Sequence, residues 1–299
     1  MNIIRHKAIF LGVSGVLVGL SLIFIFIFGF KEAIDFKGGT LWQFVIKEQA
    51  PKIEELETFL KSELKDVGEI KINFDLDNQS FLVRLQSIDQ ASHQKFASLL
   101  KNKYPTFEEL SFQSIGPSVG EKLRKNAITA VIVAIIAVSL YIAFSFRKVS
   151  KPVSSWKYGV ITMVTLFHDI VIPAGLIALL GHYSNIEIDT NFIVALLVVM
   201  GFSVHDTIVV FDRVRENLFL DHGKTDFSSL INGSINQTMA RSINTSLTLI
   251  LVLIALIVVG PASLTYFILT LLVGVTTGVY SSIFVASPLL LVWHNLSRK

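Results

Sequence analysis

Two carboxylates stand inside stretches of this chain that are otherwise apolar. Asp206 lies in Gly201-Phe-Ser-Val-His-Asp-Thr-Ile-Val-Val210, and Asp169 lies in the dipeptide His168-Asp169. A third ionisable group, Arg241, stands at the edge of another such stretch, in Ala240-Arg-Ser-Ile-Asn-Thr-Ser-Leu-Thr248. If these stretches cross a bilayer, an ionised side chain there costs about 2.5–3.5 kcal/mol on insertion scales, so each needs a partner or a task. The task open to a buried carboxylate is proton exchange. The plainer alternative is a buried ion pair or hydrogen bond that only holds helices together.

Depth favours a meeting of Asp206 and Arg241, because consecutive spans are antiparallel and these two are joined on one side. Asp206 is five residues before Phe211, roughly 8 Å of helix, a distance that an arginine side chain can largely bridge. The expectation is therefore a proton relay with Asp206 as the titrating group and Arg241 as its charge partner. Asp169, His168, His205 and Thr245 are lesser candidates, and Ser203, Thr207, Asn244 and Thr248 add polar groups that could hydrogen-bond.

Hydrolysis within the membrane is a rival reading, since Ser203, His168 and His205 offer a nucleophile and bases. Spacing weighs against it. His-Glu-x-x-His is absent, and adjacent His and Asp point about 100° apart on a helix, so neither His-Asp dipeptide makes a ready site. The chain has no cysteine, which excludes disulfides and thiol chemistry. Asp35-Phe-Lys-Gly-Gly-Thr40 reads first as a turn at Gly38 and Gly39, and it lacks the Walker pattern of a phosphate loop. Asp212-Arg213-Val-Arg215-Glu216 reads as a self-paired helix end. No cofactor, no metal and no enzymatic activity are expected.

The elements that must position these residues follow from hydropathy. The 299 residues are 52% hydrophobic and only 16% charged, with mean hydropathy +0.62, too apolar for a soluble globule of this length. The formal charge of +3 gives little support to nucleic-acid binding, because excess Lys and Arg are expected on the cytoplasmic loops of a membrane protein. Residues 9–30 form a charge-free run long enough to span. This run exceeds a signal-peptide core and lacks its cleavage site, so it is expected to be retained. Further spans are expected at 126–146, 158–180, 191–211, 242–259 and 263–293, the last overlong and able to include an interfacial turn at Pro288.

Arg5, Lys7, Arg147, Lys148, Lys151, Lys157, Arg213, Arg215, Lys224, Arg241, Arg298 and Lys299 all fall on one side of this arrangement. The short opposite loops, 181–190 and 260–262, carry neither Lys nor Arg. The positive-inside rule then makes the tails 1–8 and 294–299 cytoplasmic.

Residues 31–125, the one long polar segment, fall outside on this topology. Trp42, Phe44 and Ile46 alternate. Ile53, Leu56, Leu60 and Leu64 follow at helical spacing, and Ile70, Ile72, Phe74 and Leu76 alternate again before a turn at Asn78-Gln79 into Phe81, Val83 and Leu85. Asp89 can cap a helix carrying Phe96, Leu99 and Leu100, which ends at Tyr104-Pro105 before a last strand around Leu110 and Phe112. The order βαββαβ reads as a ferredoxin-like domain.

Four motifs in sequence order, Asp35 to Thr40, Ile115-Gly116-Pro117-Ser-Val-Gly120, Gly201 to Asn217 (with Ser203, Asp206, Asp212 and Arg213), and Ile235 to Ser246, resemble signatures of the SecD/SecF family of the RND superfamily. The resemblance covers nearly the whole chain. It implies a six-helix half of an RND-type transporter in the bacterial inner membrane. Such a half pairs with SecD, associates with the SecYEG channel and other translocon accessories, and uses the proton gradient to help exported unfolded polypeptides across. It also implies that the residues matching Asp206 and Arg241 take part in proton conduction. A small-molecule efflux subunit of the same superfamily would share that machinery but carry a larger external region than 31–125, and a purely structural assembly factor would need no conduction.

The topology is open to cysteine labelling, since the chain has no native thiol. In intact cells an impermeant maleimide is expected to label Asn78→Cys and to spare Lys224→Cys; the reverse pattern overturns the orientation.

Overall fold

The structure is a computed structural model that describes residues 2–47, 51–63, 68, 70–75, 79–147, 153–184, 186–222 and 224–296. Leu64, Leu76, Asn78 of the expected turn, and the basic residues Lys148, Lys151, Arg298 and Lys299 lie outside the described residues. The chain divides into two compact units, Glu32–Ile128 on one hand and Met1–Lys31 with Thr129–Lys299 on the other.

After helix α1, Lys7–Phe28, the chain enters the smaller unit. Here a single-turn helix α2, Ile34–Lys37, leads into strand β1, Gly39–Ile46. Helix α3, Ile53–Glu63, precedes strands β2, Lys71–Asp75, and β3, Ser80–Leu85; helix α4, Gln90–Lys103, precedes strand β4, Phe107–Ile115. The four strands form one antiparallel sheet in the order β2-β3-β1-β4. Because side chains alternate across a strand, Trp42, Phe44 and Ile46 of β1 and Phe81 and Val83 of β3 share one face, and they form a core with Leu56 and Leu60 of α3 and Phe96 and Leu100 of α4. Asp89 caps α4 by accepting the Ser92 N–H at 2.9 Å.

Strand β4 departs from the simple alternation. Trp42 pairs with Phe112 and Gln43 with Ser111, but Phe44 pairs with Glu109, so Leu110 is an extra residue in a β-bulge. One inserted residue exchanges the two faces of all that precedes it on the strand. Leu110 is exposed, and Glu109 is turned toward the core. There its carboxylate accepts from Trp42 Nε1 at 2.8 Å and contacts His93 Nε2 at 2.6 Å.

The two glycine motifs of this unit meet. Gly38 has φ of +76°, a region that only glycine occupies without strain, and a Cβ there would stand 2.8 Å from Pro117 Cα. A Cβ on Gly120 would stand 2.8 Å from Gly38 N and 2.9 Å from Phe36 O. The Asp35 to Thr40 turn and the helix start at Pro117 are thus two sides of one tight backbone contact.

The chain continues through α5, Pro117–Ser145; α6, Ser155–Ser184; α7, Thr190–Asp221; α8, Phe227–Val259; and α9, Thr265–Ser281. A π-helical turn, Ser282–Ala286, joins α9 to α10, Ser287–Leu296. Among the described residues six helical stretches are long and apolar enough to cross a membrane, Ile4–Phe28, Pro117–Ser145, Ser155–Ser184, Thr190–Asp221, Phe227–Val259 and Thr265–Leu296.

In the larger unit α6, α7 and α9 form the interior, with α1 laid on α6 and α8 on α7 and α9. Small residues let the backbones approach: a Cβ on Gly175 of α6 would fall 2.4 Å from Ser21 Cβ of α1. On α9, Gly274 and Gly278 face Val199 and Ser203 of α7, where added Cβ atoms would lie 2.2 Å from Val199 Cγ2 and 3.0 Å from Ser203 Cβ. This Gly-x-x-x-Gly spacing brings the end of α9 against the middle of α7.

Several helix ends differ from the hydropathy reading: α5 begins at Pro117 and not at 126, and α7 runs to Asp221 and not to 211. The cap at Asp226 starts α8 well before residue 242, because Leu230, Ile231 and Ile235 supply an apolar stripe that packs on Phe211 and Val214. Pro288 does not end the last helix. The wider π turn before it accommodates a residue that has no N–H to donate and whose ring would crowd the preceding turn.

The unit Glu32–Ile128, expressed alone, is expected to give a mixed helix and strand circular dichroism spectrum; a disordered spectrum refutes an independent core. Within it, Glu109→Ala leaves the Trp42 indole N–H without its acceptor and should lower stability in urea by about 1–3 kcal/mol. The hydrogen bonds from Ser92 hold the Asp89 carboxyl below its ordinary value. A lowered folded-state pKa means that the cap stabilises above the unfolded-state value and loses its effect as pH falls through the folded one. The thermal difference between wild type and Asp89→Ala should therefore be full at neutral pH and vanish in acid.

Candidate functional site

Asp169, on the middle of α6, is fully enclosed by protein and meets three donors. Its Oδ1 lies 2.7 Å from His168 Nδ1, and its Oδ2 accepts from the hydroxyls of Ser203 on α7 and, at 2.7 Å, Ser281 on α9. Helix rotation alone separates His168 and Asp169, but a short carboxylate and an imidazole of adjacent residues can bend toward each other. The dipeptide makes the direct contact that the rotation argument had led us not to expect. Imidazole Nε2 of His168 is buried and has no hydrogen-bond partner among the described residues.

Asp206, on the middle of α7, is equally buried from solvent but far more loosely held. Its one hydrogen-bond contact among the described residues is Ser246 Oγ of α8 at 3.3 Å. That hydroxyl also stands 2.7 Å from the Ser242 carbonyl, and since it has one hydrogen, the shorter bond claims it. Beside Asp206, Thr207 Oγ1 lies 2.9 Å from Ser282 Oγ at the start of the π turn. Ser282 Oγ also reaches the Ser203 carbonyl at 3.4 Å.

Arg241 does not meet Asp206. The two are at matching heights, since Asp206 is 15 residues before the end of α7 and Arg241 is 14 after the start of α8. The difference is one of rotation. Ser242 and Ser246 are four residues apart and share the face of α8 turned to α7, whereas Arg241 is about 140° of helix away from Ser246. Arg241 is exposed and makes no ion pair among the described residues. It lines a polar groove with Asp212, Arg213, Glu216, Gln237 and Thr238. There Arg213 pairs with Glu216 at 2.6 Å and Arg215 with Asp212, both within α7.

His205, Thr245 and Gly201 are exposed on α7 and α8, and of the three only His205 interacts electrostatically with Asp206. Asp35 is buried in α2, and Gly116 has open space where a Cβ would point. Sequence reasoning missed Ser281 and Ser282. The signal that could have found them is the Gly274 to Gly278 spacing, which marks the face of the last span that lies against another helix. Among the described residues no group of three or more His, Asp or Glu is placed to hold a metal ion.

A family model described as "Protein export membrane protein SecD/SecF, C-terminal" matches residues 95–296. The chain is 38% identical to "Protein translocase subunit SecF" of Thermobaculum terrenum, over 99% of this chain and 94% of that one. It is 36% identical to the "Protein translocase subunit SecF" of Anaerolinea thermophila, with 99% and 94% covered. A crystal structure of SecDF from Thermus thermophilus, described as a translocon-associated membrane protein, superposes with a TM-score of 0.78 at 34% identity. That superposition covers 99% of this chain and 39% of the SecDF chain, so the present chain spans well under half of that protein. With most of its length matched by the family model and relatives aligned nearly end to end, this multi-pass helical membrane protein belongs to the SecD/SecF family of protein export membrane proteins.

Proposed function

We propose that the chain is an accessory subunit of the Sec protein-export translocon that works with SecD. In this reading it uses the proton gradient across the bacterial inner membrane to help exported polypeptides cross. The observation that carries the reading is the state of Asp206: a carboxylate buried in the middle of α7, with no salt bridge among the described residues and only a contested hydroxyl in hydrogen-bond reach. Such a group is positioned to take up and release a proton, whereas a carboxylate locked into an ion pair is not.

Arg241 fits the reading as a mobile partner. It lies at the height of Asp206 on the neighbouring helix, and rotation of α8 would bring the guanidinium toward the carboxylate. Ionised Asp206 would hold it, and protonated Asp206 would release it, giving a two-state element. A membrane potential supplies about 2.3 kcal/mol per charge per 100 mV, enough to bias such an element. The exposure of His205 on α7, inside the apolar span, supports a partner there, because polar side chains within a span are rarely left to lipid. A SecD half is the partner the family implies, and its fusion to a SecF-like half in the Thermus relative supports that choice. Both termini are assigned to the cytoplasm, and Glu32–Ile128 is assigned to the outer side as a ferredoxin-like domain, its antiparallel β2-β3-β1-β4 order being that of a split βαβ unit.

A hydrolase reading gains nothing from the Asp169 cluster. Ser203 donates to the Asp169 carboxylate and not to His168, so the serine-imidazole pair of a hydrolase is not assembled.

Asp206→Asn preserves shape and removes the titrating group. In inner-membrane vesicles it is expected to leave protein level and SecD association intact and to abolish the gradient-dependent stimulation of export. Export at the wild-type rate, with the same loss on adding an uncoupler, would show that Asp206 is structural.

A further inference from the structure

We propose that His168 and Asp169 form a second proton-exchange site, separate from Asp206, and that Ser281 passes its state to the π turn. The inference rests on the reading that the bundle moves protons, but it stands on its own geometry. All three donors around Asp169 point at its oxygens, which is the arrangement of an ionised carboxylate. The contact with Asp169 places a hydrogen on His168 Nδ1 and leaves the buried Nε2 lone pair without a donor among the described residues. A proton arriving at Nε2 completes an imidazolium-carboxylate pair and takes the site from one negative charge to none. Release reverses the step, and no bond other than N–H forms or breaks.

Among the described residues no other group near Asp169 supplies the missing charge. Of the helices packed on α6, α1 carries one charged residue, Lys7, at its first position. On α7 the nearest ionisable groups are His205, which is exposed, and Asp206, which contacts Ser246. The titratable residues of α9 are Tyr266 and Tyr280; Tyr280 stacks on His168 with ring centres 6.4 Å apart and donates its hydroxyl to the Phe10 carbonyl. The π turn has no titratable residue, and α10 has only His294. No Lys or Arg lies within ion-pair distance of Asp169 among the described residues.

Ser281 is the reader of the site because its single hydrogen has two acceptors. They are Asp169 Oδ2 at 2.7 Å and the Gly278 carbonyl at 3.0 Å. Neutralising the pair weakens the first and favours the second. Ser281 directly precedes the π turn, whose first residue, Ser282, meets Thr207 next to Asp206. One backbone step therefore separates the hydroxyl that senses Asp169 from the hydroxyl that touches the Asp206 region.

The test is infrared difference spectroscopy of the full chain in nanodiscs, with ring-labelled histidine, between alkaline and acidic buffer. Wild type is expected to show an imidazole protonation band that is lost in both His168→Gln and His168→Asn and altered in Asp169→Asn. Asp206→Asn should retain it. Ser281→Ala should retain the imidazole band and shift the Asp169 carboxylate band. Spectra of the folded His168 variants that superpose on wild type overturn the site, and an unshifted carboxylate band in Ser281→Ala overturns the role of Ser281. If the His168 band is present while Asp206→Asn vesicles export normally, the assignment of Asp206 falls and this site remains.

Discussion

A carboxylate enclosed at the centre of a helix bundle must find every hydrogen-bond donor within its own protein, and Asp169 finds them on three helical segments at once. His168 comes from α6 itself, Ser203 from α7 and Ser281 from the end of α9. For those hydroxyls to arrive, the helix axes must come closer than large side chains allow. Gly274 and Gly278 remove the obstacle on α9, and Ser203 is itself one of the residues that Gly278 packs against. The close packing and the polar cage are thus a single constraint. Enlarging the glycines would separate the helices and strand the carboxylate, and deleting the carboxylate would leave the hydroxyls with only backbone carbonyls to bond.

The same constraint makes the two acid sites unlike. Around Asp169 the donors come from helices in contact through glycine, and the site is closed. Around Asp206 the neighbour is α8, which crosses without such an approach at that height and offers Ser246 at 3.3 Å. A carboxylate in a closed cage is costly to move, and one with a single contested contact can change partners at small cost. Their separation is bridged by Ser281 and Ser282, adjacent residues that bond toward different sites because the helix widens into its π turn at that point. In an unbroken α-helix they would lie about 100° apart, and widening the turn changes where each hydroxyl points.

Much of this architecture is legible in the residue order, and the failures have definite physical causes. Hydropathy finds the apolar part of each span, but it cannot see that Leu230, Ile231 and Ile235 extend α8 by an amphipathic stretch, because their neighbours are polar. Depth counting puts Asp206 and Arg241 level with each other, yet depth carries no rotational information, and the face of α8 that meets α7 bears Ser242 and Ser246. In the small unit the alternation of Trp42, Phe44 and Ile46 is read directly from period two. The bulge at Leu110 is not, because Leu110 and Phe112 continue the alternation in the sequence, and only the partners waiting for Glu109 on the inner face favour the slipped register. Helix rotation separates the Cβ directions of adjacent His and Asp residues but not the ends of their polar side chains, which attract each other.

Family-like motifs in this chain divide between two kinds of requirement. Asp35 to Thr40 and Ile115 to Gly120 are joined through Gly38 and Gly120, where any side chain would collide with backbone, so these two glycines follow from packing and need no chemical role. Gly201 to Asn217 combines both kinds. Ser203 serves the Asp169 cage, Asp206 has only the Ser246 hydroxyl in hydrogen-bond reach among the described residues, and Arg213 and Asn217 both reach Gln237 to bind α7 to α8. That tether lies two turns or so from Asp206 along α7, by about 1.5 Å of rise per residue. It allows the part of α8 that carries Arg241 to turn only as far as the Gln237 contacts permit, which sets the limit that any exchange of partners at Asp206 must respect.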